Sequence, residues 1–293
     1  MIENHGRLVK WVKEKMVGAD SSQTNWIEET AGSMMGANNH ILEQGSSLSV
    51  EKQNDVLVSP NGVFLAGFSS VGDNAFCFAI RFMKSSVPTI VWMANRDQPV
   101  NGKASKLSLL KNGNLVFLDA GRINLWSTET TSPISVYLQL HNNGNLVLHN
   151  IRNESLWESF NSPTDTLLPG QKITKDISLL SSKSKTTYSS GYYNLTTYNN
   201  SKTAMFDSTG YFRSSDELVF SASDYGVVRH RRLTLDTDGN LRLYSFDEKN
   251  MTWVVTWQAF SQLCRIHGIC GPNSLCKYDH ALVGDAHACQ DSK

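Results

Sequence analysis

Three strings in this chain share one pattern: LSLLKNGNLVFLD from Leu107, LQLHNNGNLVLHN from Leu138 and LTLDTDGNLRLYS from Leu233. Asn112-Gly113 and Asn143-Gly144 lie 31 residues apart. Asn-Gly and Asp-Gly accept the positive φ values of a tight two-residue turn, and the alternating sequence on either side reads as a pair of antiparallel strands. One hairpin cannot bury its apolar face alone. Recurring at a near-fixed period, it implies copies of a single β unit packed on one another. A scaffold of this kind presents strand faces, which points to recognition rather than catalysis.

The tryptophans keep the same period. IVWMANRD, NLWSTET and SLWESFN place Trp92, Trp126 and Trp157 at intervals of 34 and 31 residues. Each repeat therefore contributes one indole at an equivalent place. The expectation is three sheets about a pseudo-threefold axis with the indoles at its centre, each burying about 150–250 Å². Upstream, LVSPNGVFLAGF reads as strand, turn, strand, and FCFAIRF alternates Phe76, Phe78, Ile80 and Phe82, with Cys77 as a buried small hydrophobe.

Domain organisation follows from shifts in pattern. Residues 1–40 differ from the rest: Leu8, Val9, Trp11, Val12 and Met16 recur at helical spacing, predicting a short helical segment. Residues 41–160 form the repeated β region. NSPTDTLLPGQKI, with two prolines and a glycine, opens a second β region over 161–258 that holds the third hairpin. Residues 259–293 contain four of the five cysteines, Cys264, Cys270, Cys276 and Cys289. Their gaps do not match the close pairs of a zinc site, so a disulfide-stapled module from an oxidising compartment is expected. Four sequons, at Asn153, Asn194, Asn199 and Asn250, agree with secretion as N-glycosylation sites. The N-terminus has no apolar core to serve as a signal, which raises the reading of a fragment or a fused gene model.

Several function classes are excluded by inventory. Lys+Arg equals Asp+Glu at 27 each, so no basic field draws nucleic acid. The run Arg229-His230-Arg231-Arg232 is expected to be a solvated strand edge. No apolar stretch nears the roughly 18 residues of a membrane span. Kinase, nucleophile-elbow and zinc-protease motifs are absent, and no metal or cofactor is implied.

NGVFLAGF, TIVWMANRDQPV, LWESFNSPTDTLLPGQ, LTLDTDGNLRLYS and CRIHGICGPNSLC, in this order, resemble the ectodomain of plant S-domain (G-type lectin) receptor-like kinases. The resemblance spans roughly Ile41 to Cys289. It implies an all-β chain: a bulb-type (mannose-binding) lectin β-prism of three four-stranded sheets, an S-locus glycoprotein domain and a truncated EGF-like module. Relatives of this kind continue into a PAN/apple domain, a membrane helix and a Ser/Thr kinase. GRLVKWVKEKM and NWIEETAGSMMG look like a scrap of kinase C-lobe ahead of the ectodomain. The resemblance also implies Cys264 pairing with Cys276 and Cys270 with Cys289, and a cell-surface location.

Bulb lectins bind mannose through Gln-x-Asp-x-Asn-x-Val-x-Tyr on a strand, where alternate residues share one face. The first repeat aligns Leu110, Asn112, Asn114, Val116 and Leu118, with both polar ends lost. The second aligns His141, Asn143, Asn145, Val147 and His149. The third aligns Asp236, Asp238, Asn240, Arg242 and Tyr244, with Arg in place of Val. These residues are candidate carbohydrate contacts; the competing explanation is that Asn-Gly and Asp-Gly persist because the turn needs them. The ligand is then a mannose-type glycan at weakened sites, or a secreted peptide or protein, with a homodimer possible and a non-functional gene fragment as a further alternative.

Overall fold

A computed structural model describes residues 40–291 apart from 53, 88, 175–176, 197–202, 267–269, 271–273 and 279–286. The expected N-terminal helical segment and the sequon at Asn199 lie outside the described residues. The chain divides into two compact units at Pro163/Thr164, inside the link that the sequence marks with prolines.

The first unit is built from three sheets. In one, Ile41–Glu43 pairs with Val136–Leu140, which continues to Leu146–Asn150 and Ser155–Glu158. In another, Ser47–Ser49 pairs with Lys106–Leu109, then Leu115–Leu118 and Asn124–Ser127. The remaining sheet runs Leu57–Val58, Phe64–Gly72, Ala75–Phe82, Thr89–Met93, with Val100–Asn101 as a fifth strand. The uniform four-strand expectation is thus off by one element. The extra strand pairs with Ala75 and Phe76, whereas Thr89–Met93 pairs with the other end of the same strand. The sheet stays four strands wide because two short segments share its fourth place.

Each sheet carries one tryptophan on this fourth strand, and the indoles meet. Trp157 lies 5.9 Å from Trp92 and 5.7 Å from Trp126, ring centre to ring centre, both edge to face. That geometry sets positive ring edges against negative faces and adds about 0.5–1.5 kcal/mol per pair beyond burial. Trp92 Nε1 donates to Ser162 O at 2.7 Å, so the one polar atom of this buried ring is satisfied. Around the centre, Leu107, Leu109, Leu115, Leu138, Leu140, Leu146 and Leu148 are almost fully buried.

Each tryptophan follows a β-bulge. Ile80 faces Trp92 and Arg81 faces Ile90, leaving Val91 unpaired in register. Leu125 is skipped between Asn124 and Trp126, and Leu156 between Ser155 and Trp157. An extra residue bends the strand and increases its twist, which swings each indole toward the shared centre.

The second unit repeats the device. Thr166–Leu167, Arg231–Leu235, Leu241–Asp247 and Thr252–Gln258 form a four-stranded sheet. Leu243 faces Trp257 and Tyr244 faces Val255, with Thr256 skipped. Trp257 here stacks on Phe220 at 3.7 Å and packs against a core of Leu233, Leu235, Leu241, Leu243, Phe206 and Phe212. Smaller sheets join Ser178–Ser182 with Ser190–Thr196, and Ala204–Phe206 with Tyr211–Ser214 and Val219–Ser221.

One sequence expectation fails here. The basic run is not a solvated edge: Arg231 is 1% exposed. Its guanidinium donates to Asp224 Oδ1 at 2.7 Å, Ser208 O at 2.9 Å and Val227 O at 2.9 Å, and also to Ser245 Oγ. A planar five-donor fork can be buried when carbonyls and a carboxylate surround it, and this one pins the 224–228 loop.

Among the cysteines, Cys264 and Cys276 form a disulfide with Cα atoms 5.4 Å apart, and Cys270 is also disulfide-bonded. The expected partner of Cys270 is Cys289, whose side chain lies outside the described residues; its backbone faces Cys276 across the pair Ser274–Tyr278 and His287–Asp291. Cys77 is a buried free thiol, pushed up to about 12 by burial and then by Asp97, as its apolar setting demands.

Candidate functional site: three hairpins with different fates

The turn glycines explain why the pattern persists. Gly113, Gly144 and Gly239 have φ of +91°, +87° and +78°, values that cost an L side chain about 1–2 kcal/mol. At Gly239 a Cβ would also meet the Tyr193 ring at 2.6 Å.

The asparagine after each glycine has a structural partner. Asn145 Oδ1 accepts from Ser159 Oγ at 3.1 Å and Phe160 N at 3.2 Å, while its Nδ2 donates to Glu158 Oε2 at 2.9 Å. Asn240, with no exposed surface, accepts from Phe260 N at 3.1 Å and donates to Phe260 O at 2.8 Å. Asn114 Oδ1 accepts from Thr128 Oγ1 at 3.1 Å. In every case the partners lie one to three residues beyond the tryptophan, so the amide latches the returning strand to the turn. Cys77 occupies the matching position in the remaining sheet, and its Sγ donates to Asn95 O, three residues past Trp92, at 3.4 Å.

The first hairpin offers little to a sugar. Leu110 is 37% exposed, Val116 is buried, and Asn112 accepts from Asn114 N at 3.1 Å to shape the turn.

The second hairpin keeps polar residues at both ends, with His141 half-buried and His149 buried. His141 Nε2 and His149 Nε2 are 3.0 Å apart, which requires one ring to donate and the other to accept. Tyr137 stacks on His149 with centroids 5.4 Å apart, fixing its plane. His141 is half-buried and its proton affinity is lowered by burial first and then by His149, against a smaller opposing effect of Glu158. Asn143 is exposed, and Val147 lies between the two histidines in the alternation.

The third hairpin is closed by its own arginine. Arg242 donates to Asp236 Oδ2 at 2.6 Å and to Asp238 at 2.9 and 2.7 Å, and Tyr244 Oη adds a bond to Asp236 Oδ2 at 2.7 Å. Arg232 stacks over the Tyr244 ring at 3.9 Å. Burial alone would weaken the Arg242 proton, but the two carboxylates outweigh it and hold the guanidinium firmly charged. Burial and the Asp236 charge push the Tyr244 phenol well above its ordinary range. Arg where the pattern has Val thus ties Asp236 and Asp238 into an internal ion-pair cluster.

Sequence reasoning missed the latch and the Trp257 copy. A signal for both was present: Trp157-Glu-Ser-Phe160 and Trp257-Gln-Ala-Phe260 share a spacing, and the latch partners lie within it.

Among the described residues no helix is long and apolar enough to cross a membrane. No group of three or more His, Cys, Asp or Glu is placed to hold a metal ion among those residues.

Residues 89–190 match the D-mannose binding lectin family and residues 188–289 match the S-locus glycoprotein domain. A receptor protein kinase of Zea mays is 36% identical over 81% of this chain and 34% of its own length. The G-type lectin S-receptor-like serine/threonine-protein kinase SRK of Arabidopsis thaliana is 31% identical over 80% of this chain and 32% of its own. The chain therefore spans about a third of the length of these two relatives. Among solved structures, a monomeric monocot mannose-binding lectin from Gastrodia elata is similar at 21% identity, covering 41% of this chain and 96% of that one, with a TM-score of 0.33. A Marasmius oreades lectin is similar at 20% identity, covering 41% of this chain and 90% of that one, also with a TM-score of 0.33. With a lectin domain followed by an S-locus glycoprotein domain and relatives of this kind, the chain belongs to the plant S-domain, or G-type lectin, receptor-like kinase ectodomain family.

Proposed function

We propose that this chain is an extracellular recognition module that binds a mannose-type glycan, weakly, at the second hairpin. The observation that supports this reading is the pair His141 and His149, 3.0 Å apart, beside exposed Asn143; a sugar would meet it through half-buried His141, because His149 and Val147 are buried. With the two Nε2 atoms bonded to each other, His141 keeps its Nδ1 to donate to or accept from a sugar hydroxyl. The other two hairpins lack this: the first has Leu at both ends, and the third is filled by Arg242. The work is binding alone, with no reaction and no cofactor. The module comprises a lectin domain over 41–160, an S-locus domain over 161–258 and an EGF-like tail whose second bridge joins Cys270 to Cys289.

Glycan-array binding of the full chain tests this. The reading expects a mannose-type signal that disappears in His141→Ala while circular dichroism shows the variant still folded. Asn145→Ala is a poor probe, because that amide holds the fold. A blank array at high protein concentration removes the sugar reading.

A second reading, in which the strand faces bind a secreted peptide or protein or a second copy of the chain, is favoured by the closed third hairpin. With two of three sugar patterns spent, the prism keeps its shape but not its sugar contacts. Sedimentation velocity of the purified chain reads self-association directly.

A further inference from the structure

The three sequons among the described residues differ in where the fold puts them. Asn194 lies within Ser190–Thr196, paired with Leu180 and flanked by buried Tyr193 and Leu195; its Oδ1 is itself buried. Asn153 and Asn250 occupy the same kind of place instead. Each sits in the exposed turn that leads into the tryptophan-bearing edge strand, Ser155–Glu158 for one and Thr252–Gln258 for the other. The sequon hydroxyls, Ser155 and Thr252, are the first residues of those strands and are exposed.

The amide geometry leaves both open to derivatisation. Asn153 is held by its oxygen, which accepts from Tyr137 Oη at 2.8 Å. Asn250 Nδ2 donates to Asp247 Oδ2 at 2.6 Å, a bond that uses one of two amide hydrogens. The edge beyond Asn250 also needs cover. Thr252–Gln258 is the outer strand of its sheet, and Val254 and Val255 are 47% and 43% exposed. A long edge strand with exposed apolar residues and no Lys or Pro is a template for pairing with another chain. Ser223 N bonds Thr256 O at 2.8 Å and covers only the far end.

We propose that Asn153 and Asn250 carry N-linked glycans, that Asn194 does not, and that the glycan on Asn250 shields the edge strand Thr252–Gln258 from self-pairing. In the transfer, one Nδ2–H is replaced by a bond to C1 of the first sugar of a lipid-diphosphate-linked oligosaccharide. The lipid diphosphate leaves, and the displaced proton is released with it. The second amide hydrogen remains for Asp247. The proposal rests on the extracellular reading, not on sugar binding by the second hairpin, so the glycan array and the test below fail independently.

The test is to express the full chain behind a cleavable leader in a eukaryotic secretory host and map glycopeptides by mass spectrometry. Occupancy at Asn153 and Asn250 with Asn194 bare is expected; Asn250 bare in the secreted protein, or Asn194 occupied, overturns the assignment. Asn250→Gln is then compared with Thr252→Val, which removes the sequon but keeps the asparagine and a strand-forming residue. Both are expected to shift from monomer to dimer or larger species by light scattering, and Val254→Lys added to either returns the monomer. If Thr252→Val is folded, unglycosylated at Asn250 and still monomeric at the same concentration, the shielding role is overturned.

Discussion

At the scale of single residues, one amide does two jobs that look alike in sequence. The Asn of Asn-Gly-Asn is a sugar contact in the bulb-lectin pattern, yet Asn240 is fully enclosed and bonded to both backbone groups of Phe260. Asn240→Ala should therefore lower stability by about 1–3 kcal/mol, because it orphans a buried N–H and a buried C=O; urea unfolding reads it. Arg242 is the other telling residue. Arg242→Val restores the apolar position of the pattern and frees Asp236 and Asp238. The expected outcome is mannose-type binding in the millimolar range by NMR titration, at a cost of about 1–3 kcal/mol from the uncompensated carboxylates. No binding by the folded variant would show that more than the guanidinium closes this hairpin. His141 adds a pH dependence. Its folded form resists protonation through burial and His149, whereas the unfolded chain takes up that proton near pH 6.5. Stability is then complete above that pH and falls as the pH drops below it. Urea midpoints at pH 7.5 and 5 check the sign, and His141→Gln should flatten the difference.

At the scale of elements, the unit is a four-strand sheet with a bulge just before an indole. The bulge turns the indole inward, and the residues just past it receive the latch from the turn. Trp157 touches both Trp92 and Trp126, so Trp157→Ala should cost about 3 kcal/mol or more and lower the melting temperature more than Trp253→Ala, whose ring lies over Arg232. Gly144→Ala, at φ +87°, should cost about 1–2 kcal/mol with no change in the His141–His149 pair. Circular dichroism melts separate these effects, since the first removes core and the second strains one turn.

At the scale of the whole molecule, the same sheet serves two settings: three copies converge on one another in the first unit, and a fourth stacks Trp257 against Phe220 in the second. The hairpin repeat, its glycines and the period of Trp92, Trp126 and Trp157 were legible because turn chemistry and strand alternation are local. The equivalent place of Trp257 was not, since the longer hairpin of Leu241–Asp247 and Thr252–Gln258 breaks the period. Nor was the burial of Arg231, because its acceptors Ser208, Asp224 and Val227 come from separate segments. The amino-acid order by itself settled an all-β chain of repeated hairpins, because φ preference and side-chain alternation act over a few neighbouring residues. Which asparagines turn inward, which pocket an arginine fills and which strand edge stays open were decided only when distant segments met, because a hydrogen bond or an ion pair exists only between groups brought within reach.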